Sequence, residues 1–310
     1  MKKIRVVLLL AVLLCGCGKT MDTTIKEEKL QVVTSFYPVY LLAQAITEGA
    51  EGMELRNMAQ PQTGCLHDYE LTISDRKILE NADVLLINGG GMEGFLSLAL
   101  EQYPELVIVD TSVDIALLAG EEHRHQQEEQ EEEHSHEEEG NPHIWLSPER
   151  AMQQAEVIAK ELSARNEVDA ALFAENLEAF RGGVHALRES VHQIGIPEGE
   201  FAAVFHEGFA YIAELFHMEP VFDIFADEYE MPSAKELADA VDETKEHGIR
   251  YFLTAAGHGE IYAETLAAEV GETVLYIDPL TTEDEAGCSY LERMEKNIEA
   301  IERHWKERAK

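Results

Sequence analysis

The sequence is poor in basic residues, and this shortage excludes whole classes of function. Its 310 residues contain 24 lysines and arginines against 61 aspartates and glutamates, which gives a formal net charge of −37. A surface this negative repels nucleic acids and anionic lipid headgroups, and it raises the local concentration of cations. We therefore expect no nucleic-acid partner.

Long apolar runs are also scarce. The run at residues 6–14 follows three basic residues and is too short to span a membrane as a stable helix. We predict that residues 1–17 are a signal peptide with a lipobox and that Cys17 accepts the lipid; an ordinary signal peptide is the alternative. Because no later segment is apolar enough to cross a bilayer, we expect an exported protein that is lipid-anchored to the outer face of a bacterial cell membrane.

Cysteine is sparse as well, with four residues in the chain. If Cys15 is removed with the signal peptide and Cys17 is acylated, Cys65 and Cys288 are the two thiols that remain. An exported protein lies in a compartment that permits disulfides, so these two cysteines either form a bridge or stay as unpaired buried thiols. The composition leaves both alternatives open.

Strand-like and helix-like segments alternate on both sides of a helical middle. The strand-like segments of the first half are residues 30–36, 53–58, 83–88 and 106–110, and those of the second half are 201–205, 220–225, 251–255 and 273–277. Strands that alternate with helices predict parallel sheets covered by helices on both faces. The expected fold is therefore α/β, with two similar lobes.

The helical middle is predicted to contain one long helix. From Phe173 to Ile194 apolar residues recur at alternating spacings of four and three, which makes a continuous buried stripe. The helix is predicted to run from about Val168 to Ile194, and at about 1.5 Å per residue its 27 residues are about 40 Å long, enough to join two domains rigidly. The predicted organisation is a tether at 18–29, an N-terminal lobe at 30–165, a linking helix at 166–195 and a C-terminal lobe at 196–310.

One segment of the first lobe, residues 120–140, has low complexity. Between 121 and 139 it contains ten glutamates, four histidines and no apolar residue, so it cannot build a core and is predicted to be disordered. It is either a solvated acidic insert or a weak scavenger of metal cations. Scavenging is favoured because the insert precedes a candidate ligand, and it would use His123, His125, His134 and His136.

Four side chains follow predicted strands directly or lie in the loop beyond them, where open parallel sheets bind their ligands. They are His67, His143, His206 and Asp278. Each alone is more commonly a loop residue that forms hydrogen bonds. Two come from each half, so a shared site would close between the lobes, and three imidazoles with one carboxylate suit tetrahedral zinc. Such a closed set leaves no position for a reacting water, so we expect binding and not catalysis.

The segments around these residues resemble the ligand loops of zinc- and manganese-binding lipoproteins of metal ABC importers, the cluster A-I type. The matching segments are QTGCLHDYE at 62–70, NPHIWLSP at 141–148, FHEGFAY at 205–211 and YIDPL at 276–280. The resemblance covers the mature chain. It implies two lobes joined by a rigid helix, these four residues as metal ligands, and delivery of the metal to the permease of the same importer. A monomer is expected.

Within this family, the third ligand favours zinc. Zinc-binding members commonly have His at the position of His206, where many manganese-binding members have Glu, and His-rich acidic inserts are common in zinc members. Zn²⁺ is the expected cargo and Mn²⁺ the runner-up; nickel and copper are expected to bind tightly in vitro, since nitrogen-rich sites follow the Irving–Williams order. The chain departs from the family pattern at residues 254–260, where His258 is either an accessory ligand or an exposed loop histidine.

Other functions fit parts of the sequence. A zinc hydrolase would need a water-bearing metal position, and the chain has no His-Glu-x-x-His motif, with Glu207 the one obvious base. A metal-dependent surface adhesion protein could use the acidic insert to bind a partner. A receptor for an organic chelate would need an aromatic or basic pocket where this chain has imidazoles. If the ligand loops meet, Cys65 and Cys288 come close together, and a bridge between them would limit lobe opening.

Overall fold

The computed structural model describes residues 29–60, 66, 69–96, 100–120, 140–221, 233–257, 259–284 and 286–308. Its strands are β1 (Leu30–Thr34), β2 (Met53–Asn57), β3 (Val84–Ile87), β4 (Val107–Asp110), β5 (Leu118–Ala119), β6 (Gly140–Asn141), β7 (Phe201–Val204), β8 (Glu219–Val221), β9 (Tyr251–Thr254) and β10 (Val274–Tyr276). Its α-helices are α1 (Tyr37–Thr47), α2 (Ile73–Leu79), α3 (Pro148–Ser163), α4 (Ala170–Ile194), α5 (Phe209–Leu215), α6 (Ala234–His247), α7 (Glu260–Val270) and α8 (Tyr290–Arg308).

The predicted parallel sheets are confirmed. Each half of the chain forms a four-stranded sheet, in the order β2-β1-β3-β4 and then β10-β9-β7-β8, and every pairing within these two sheets is parallel. The antiparallel pair β5–β6 was not predicted, because strands of two residues carry no periodic pattern. Since Leu118 pairs with Asn141, this pair brings together the two ends of the acidic insert.

The central strands are buried on both faces, as strands of covered parallel sheets are. Val32 of β1 and Val204 of β7 point into one continuous core, and their neighbours Val33 and Ala203 point into two separate outer cores. Successive side chains of a strand face opposite sides of the sheet, so each sheet has an inner and an outer face. The inner faces of the two sheets share their core with residues of α1, α3, α4 and α8.

The long linking helix is α4, which begins at Ala170 and has 25 residues. Its predicted stripe is largely confirmed, because Phe173, Phe180, Val184, Leu187 and Val191 are buried while Leu177 and Ile194 are partly exposed. Against it pack α1, α3 and α8.

Polar side chains cap the starts of three helices. Thr72 and Asp75 form a reciprocal capping box at α2, and the Ser147 hydroxyl caps α3, which has Pro148 in its first turn. Ser233 caps α6. Gly94–Leu96 form a 3₁₀ turn, and residues 97–99 lie outside the described part. In the described residues, no helix has the length and apolar character needed to cross a bilayer.

Candidate metal centre

Two of the predicted ligands, one from each half of the chain, are in contact. His143 follows β6 and His206 follows β7, and their ring centroids are 4.7 Å apart with the ring planes at 82°. Two nitrogens on one tetrahedral zinc ion lie roughly 3.4 Å apart, because each Zn–N bond is about 2.0–2.1 Å. The rings are therefore close enough to share one cation.

The ring of His143 is held in one orientation. It is fully buried, and its Nδ1 lies 2.9 Å from the Asn141 side-chain oxygen. The Asn141 amide nitrogen donates to the Glu207 carbonyl, so the oxygen is the group that faces the ring, and Nδ1 must donate the hydrogen. This bond places the proton of the neutral ring on Nδ1 and the lone pair on Nε2, which is the arrangement of a metal-binding imidazole.

A network of buried polar groups holds the backbone just before His143. Asn88 donates to the Pro142 carbonyl at 2.8 Å, one residue before His143. The Asn88 loop is in turn fastened by Glu93, which accepts hydrogen bonds from the Asn88 and Gly89 backbone N–H groups and from the Ser35 hydroxyl. Burial raises the pKa of Glu93 to about 7. The backbone before His143 is thus fixed by Asn88, in the loop that follows β3.

His206 is fixed by its own chain. The Gly208 backbone N–H donates to His206 Nδ1 at 3.0 Å, so in this arrangement the proton of the neutral ring lies on Nε2. Binding a cation through Nε2 would require that proton to move to Nδ1 and would end the Gly208 bond. Metal binding through Nε2 of His206 is therefore coupled to the movement of the ring proton from Nε2 to Nδ1.

Asp278 has different partners. Both of its carboxylate oxygens accept hydrogen bonds from Arg293 at 2.6 Å, and one also accepts from the Leu280 backbone N–H at 2.8 Å. The described residues hold no cluster of three or more His, Cys, Asp or Glu side chains arranged for a metal ion. Among the predicted ligands that are described, the structure brings His143 and His206 together and engages Asp278 with an arginine.

Several other predicted residues lie outside the described part of the chain. They are Cys17, Cys65, His67, His258 and the four histidines of the insert, His123, His125, His134 and His136. Cys288 is described, and its thiol is free. It accepts a hydrogen bond from Lys296 at 3.0 Å. Of the two alternatives for these cysteines, the structure has an unpaired thiol at Cys288.

Comparison with known proteins identifies a family that this chain matches over most of its length. Residues 32–304 match the model of a protein family described as zinc-uptake complex component A, periplasmic. The chain belongs to this family. The zinc-uptake family consists of binding proteins for metal transport and is not a family of enzymes.

Curated relatives include zinc- and manganese-binding proteins. The chain is 29% identical over 311 residues to the zinc-binding lipoprotein AdcA of Streptococcus pneumoniae, covering 97% of this chain and 60% of that protein. It is 28% identical to the high-affinity zinc uptake protein ZnuA of Bacillus subtilis, covering 94% and 93%. It is 25% identical to the manganese-binding lipoprotein MntA of Halalkalibacterium halodurans, covering 96% and 95%. The chain thus spans about 60% of the length of AdcA but nearly all of ZnuA and MntA.

Solved structures of the same shape confirm the two-lobed α/β fold. A crystal structure of ZnuA has a TM-score of 0.72 at 24% identity and covers 89% of this chain and 99% of that one. The Zn(II)-bound ZnuA-like domain of Streptococcus pneumoniae AdcA has a TM-score of 0.71, with the same identity and coverage. The laminin-binding protein Lmb of Streptococcus agalactiae has a TM-score of 0.74 at 20% identity, covering 89% and 99%. At these identities the similarity shows the fold alone.

Polar contacts across the cleft hold this family member's lobes together beside the two histidines. The Tyr211 hydroxyl, on α5, donates to the Asn141 carbonyl at 2.6 Å and accepts from the Leu118 N–H at 3.1 Å. Burial raises the pKa of Tyr211 to about 12, so the hydroxyl keeps the proton that it donates. Arg150, on α3, forms a salt bridge with Glu214 and stacks over the Tyr211 ring.

Gly208 leaves room for the His143 ring, which leads to a prediction. A Cβ at Gly208 would lie 3.0 Å from His143 Cβ and 2.8 Å from a Leu146 methyl group, although its backbone angles suit any residue. We expect Gly208→Ala to displace His143 and to weaken zinc binding about tenfold, the smaller of the effects seen when a group that orients a ligand is changed. Competition with a zinc-selective chelator measures this.

The matched control is Gly182→Ala on α4. A Cβ at Gly182 meets nothing within 4 Å, and alanine is favoured over glycine in a helix by about 1 kcal/mol. This variant should keep native zinc affinity. Equal affinities for the two variants would contradict the role given to Gly208.

Sequence reasoning missed the roles of three residues that shape this region. Asn141 orients His143, Tyr211 joins the lobes, and Arg293 holds Asp278. The role of Asn141 could have been predicted from the sequence, because Asn141 lies two residues before a predicted ligand and next to a proline. Arg293 lies fifteen residues from Asp278 on a helix face, where an arginine carries no special signal.

Proposed function

We propose that this protein is an extracytoplasmic binding protein that captures Zn²⁺ between its two lobes and delivers it to an ABC-type permease. The observation that carries the proposal is the contact between His143 and His206, which come from different lobes of a chain that belongs to a zinc-uptake family. An ion bound by both rings lies between the lobes, where the permease could receive it once the lobes separate.

The proposed ligands are His67, His143 and His206; the fourth predicted ligand, Asp278, is paired with Arg293 in the structure. Imidazole nitrogen suits Zn²⁺, whereas Mn²⁺ prefers carboxylate, carbonyl and water oxygen. Two described rings contribute nitrogen, and His67 is the third predicted imidazole ligand. Zn²⁺ is therefore the proposed cargo; Mn²⁺ is the second candidate, because a relative of similar length is named as a manganese-binding lipoprotein.

We further propose that the protein has no enzymatic activity. Glu207 is a base beside the two histidines, and its carboxylate lies 3.9 Å from His143 Nδ1. The lone pair that would bind a metal is on Nε2, at the other side of the ring from Nδ1. Glu207 therefore lies on the side of His143 that faces away from the metal. It is poorly placed to activate a metal-bound water.

Attachment to the membrane is proposed to occur through a lipid on Cys17. Two of the relatives in the comparison are named lipoproteins, and the sequence before Cys17 has the pattern of a lipobox. We propose that the chain acts as a monomer beside its permease. Adhesion, the alternative function, is supported by a shared fold with Lmb at 20% identity and by the acidic insert, which could bind a partner.

The test is equilibrium binding of Zn²⁺ and Mn²⁺ to the purified chain, with and without the acidic insert. Because β5 pairs with β6, residues 121–139 can be replaced by a short Gly-Ser linker without separating the strands. We expect the native chain to bind one Zn²⁺ more tightly than Mn²⁺ and several more weakly. The replaced chain should keep the tight site and lose the weak ones.

Each outcome of this titration has a distinct meaning. Calorimetry that shows no tight zinc site in either chain would overturn the proposed function. Weak sites that persist after the replacement would overturn only the scavenging role of His123, His125, His134 and His136. A replacement in which the insert is exchanged for a Glu- and Gln-only sequence of equal length separates the histidines from the negative charge.

A further inference from the structure

The buried arginine next to Asp278 is a feature that metal binding by itself does not explain. Arg293 lies on α8, and its side chain is 3% exposed, while that of Asp278 is 35% exposed. Nε and one terminal nitrogen of the guanidinium each donate to a different carboxylate oxygen at 2.6 Å. This is the fork-to-fork geometry in which arginine binds carboxylates most strongly.

Most of the acceptor capacity of Asp278 is used. A carboxylate has about four lone-pair positions, and the two Arg293 bonds and the Leu280 N–H fill three of them. The guanidinium also compensates the negative charge that would attract a cation. A metal ion approaching the fourth lone pair would meet a neutralised carboxylate with a positive group at hydrogen-bonding distance behind it.

The arginine cannot easily leave. Its remaining terminal nitrogen donates to the Thr282 carbonyl at 2.8 Å, and its guanidinium carbon lies 5.8 Å from the centre of the Tyr37 ring. The backbone of Asp278 is fixed as well, because Asn297 both accepts from its N–H and donates to its carbonyl. Moving Asp278 to a metal would leave a buried guanidinium without its carboxylate, which proteins rarely tolerate.

We propose that Arg293 determines metal selectivity by withholding the Asp278 carboxylate from the cation that His143 and His206 bind. This inference rests on the proposed function. Without an oxygen ligand from Asp278, the protein donors of the site are predominantly imidazole, which favours Zn²⁺ over the oxygen-preferring Mn²⁺. Arg293 is thus a specificity residue that acts through a neighbour and touches no metal.

The test compares four chains: native, Arg293→Met, Asp278→Asn and the double variant. Methionine has a long apolar side chain that can fill the space beside Tyr37, and Asp278 is exposed enough to accept water once released. We expect Arg293→Met to bind Mn²⁺ about tenfold more tightly relative to Zn²⁺, and the double variant to lose that gain. Asp278→Asn alone should change zinc affinity less than about tenfold, below the usual range even for groups that orient a ligand.

The absorption spectrum of bound Co²⁺ gives a second measurement that does not depend on affinity. Released Asp278 would add an oxygen ligand, so the visible bands of Co²⁺ should shift in Arg293→Met and return to the native position in the double variant. Arg181→Met is the matched control, because Arg181 forms surface salt bridges with Glu156 and Glu178. Thermal unfolding of every variant in chelator shows whether it is folded.

The results separate this inference from the function on which it rests. Native zinc binding with an unchanged Zn²⁺/Mn²⁺ ratio and Co²⁺ spectrum in folded Arg293→Met would overturn the role of Arg293 alone. So would an Asp278→Asn chain that loses as much zinc affinity as a histidine-to-alanine variant, because Asp278 would then be a ligand. Failure of the proposed function would be seen earlier, as a native chain without a tight zinc site. If Arg293→Met does not fold, Arg293→Gln applies the same criteria.

Discussion

Replacing His206 by alanine is expected to weaken zinc binding by more than about 100-fold, since substitutions of groups that only orient a ligand already cost about 10–100-fold. The ring of His206 is 4.7 Å from that of His143, so the two rings lie side by side before an ion arrives. Alanine removes the nitrogen and also the only described imidazole of the second lobe near His143. An ion would then lose its ligand from one side of the cleft.

Two measurements check this expectation. Competition with a zinc-selective chelator gives the affinity directly. Thermal unfolding gives it by linkage, because zinc at 100 times its dissociation constant stabilises the folded state by about 2.7 kcal/mol. The native chain should melt at a higher temperature with zinc than with chelator, and His206→Ala should melt at nearly the same temperature in both.

The control is His185→Ala, which removes an exposed histidine from α4. It should retain native zinc affinity and the native response to zinc in thermal unfolding. If His185→Ala and His206→Ala bound zinc equally well, the tight site would lie elsewhere, and the cleft would lose its place in the proposed function. A loss confined to His206→Ala would support it.

The fold could be predicted from the sequence where the signal is local. The capping residues Thr72 and Ser147 sit directly before amphipathic segments, and both begin helices in the structure. The buried strand β3 is a run of four apolar residues, as a strand covered on both faces requires. The pair β5–β6 could not be predicted, because its register depends on Tyr211, which binds both strands from another lobe.

For the candidate site, the position of a residue after a predicted strand identified the candidate ligands. It did not show which hydrogen-bond partner each of them has in the fold. That reasoning predicted His143 and His206 at one site, and the structure places their rings in contact. It also predicted Asp278 at that site, because a carboxylate after a strand has the same signal whether it binds a metal or an arginine. The difference lies in α8, whose orientation is set by packing against α4 and not by its own sequence. The lobe boundaries and the ligand role of His67 stay predictions.

Replacing Trp145 by alanine is expected to lower the free energy of unfolding by about 3–5 kcal/mol, the usual cost of removing a large buried aromatic side chain. Trp145 is fully buried, and its ring meets Phe36 edge-on at 5.1 Å. Its indole N–H donates to the Pro279 carbonyl at 2.9 Å, and its own carbonyl accepts from the Tyr290 hydroxyl. The side chain thus joins the loop of His143 to the loop of Asp278.

Urea unfolding in the presence of chelator measures this loss without the contribution of bound zinc. The chain has one other tryptophan, Trp305 on α8, which is only partly buried, so Trp305→Ala should cost clearly less. Trp145→Phe keeps a ring beside Phe36 and His143 but loses the bond to Pro279, and about 2 kcal/mol or less is expected. Because the Trp145 ring also lies 5.1 Å from that of His143, the alanine variant should bind zinc more weakly even where it is folded. A Trp145→Ala chain with native stability would mean that the two loops are held together by other contacts, and the rigid cleft inferred from this residue would be wrong.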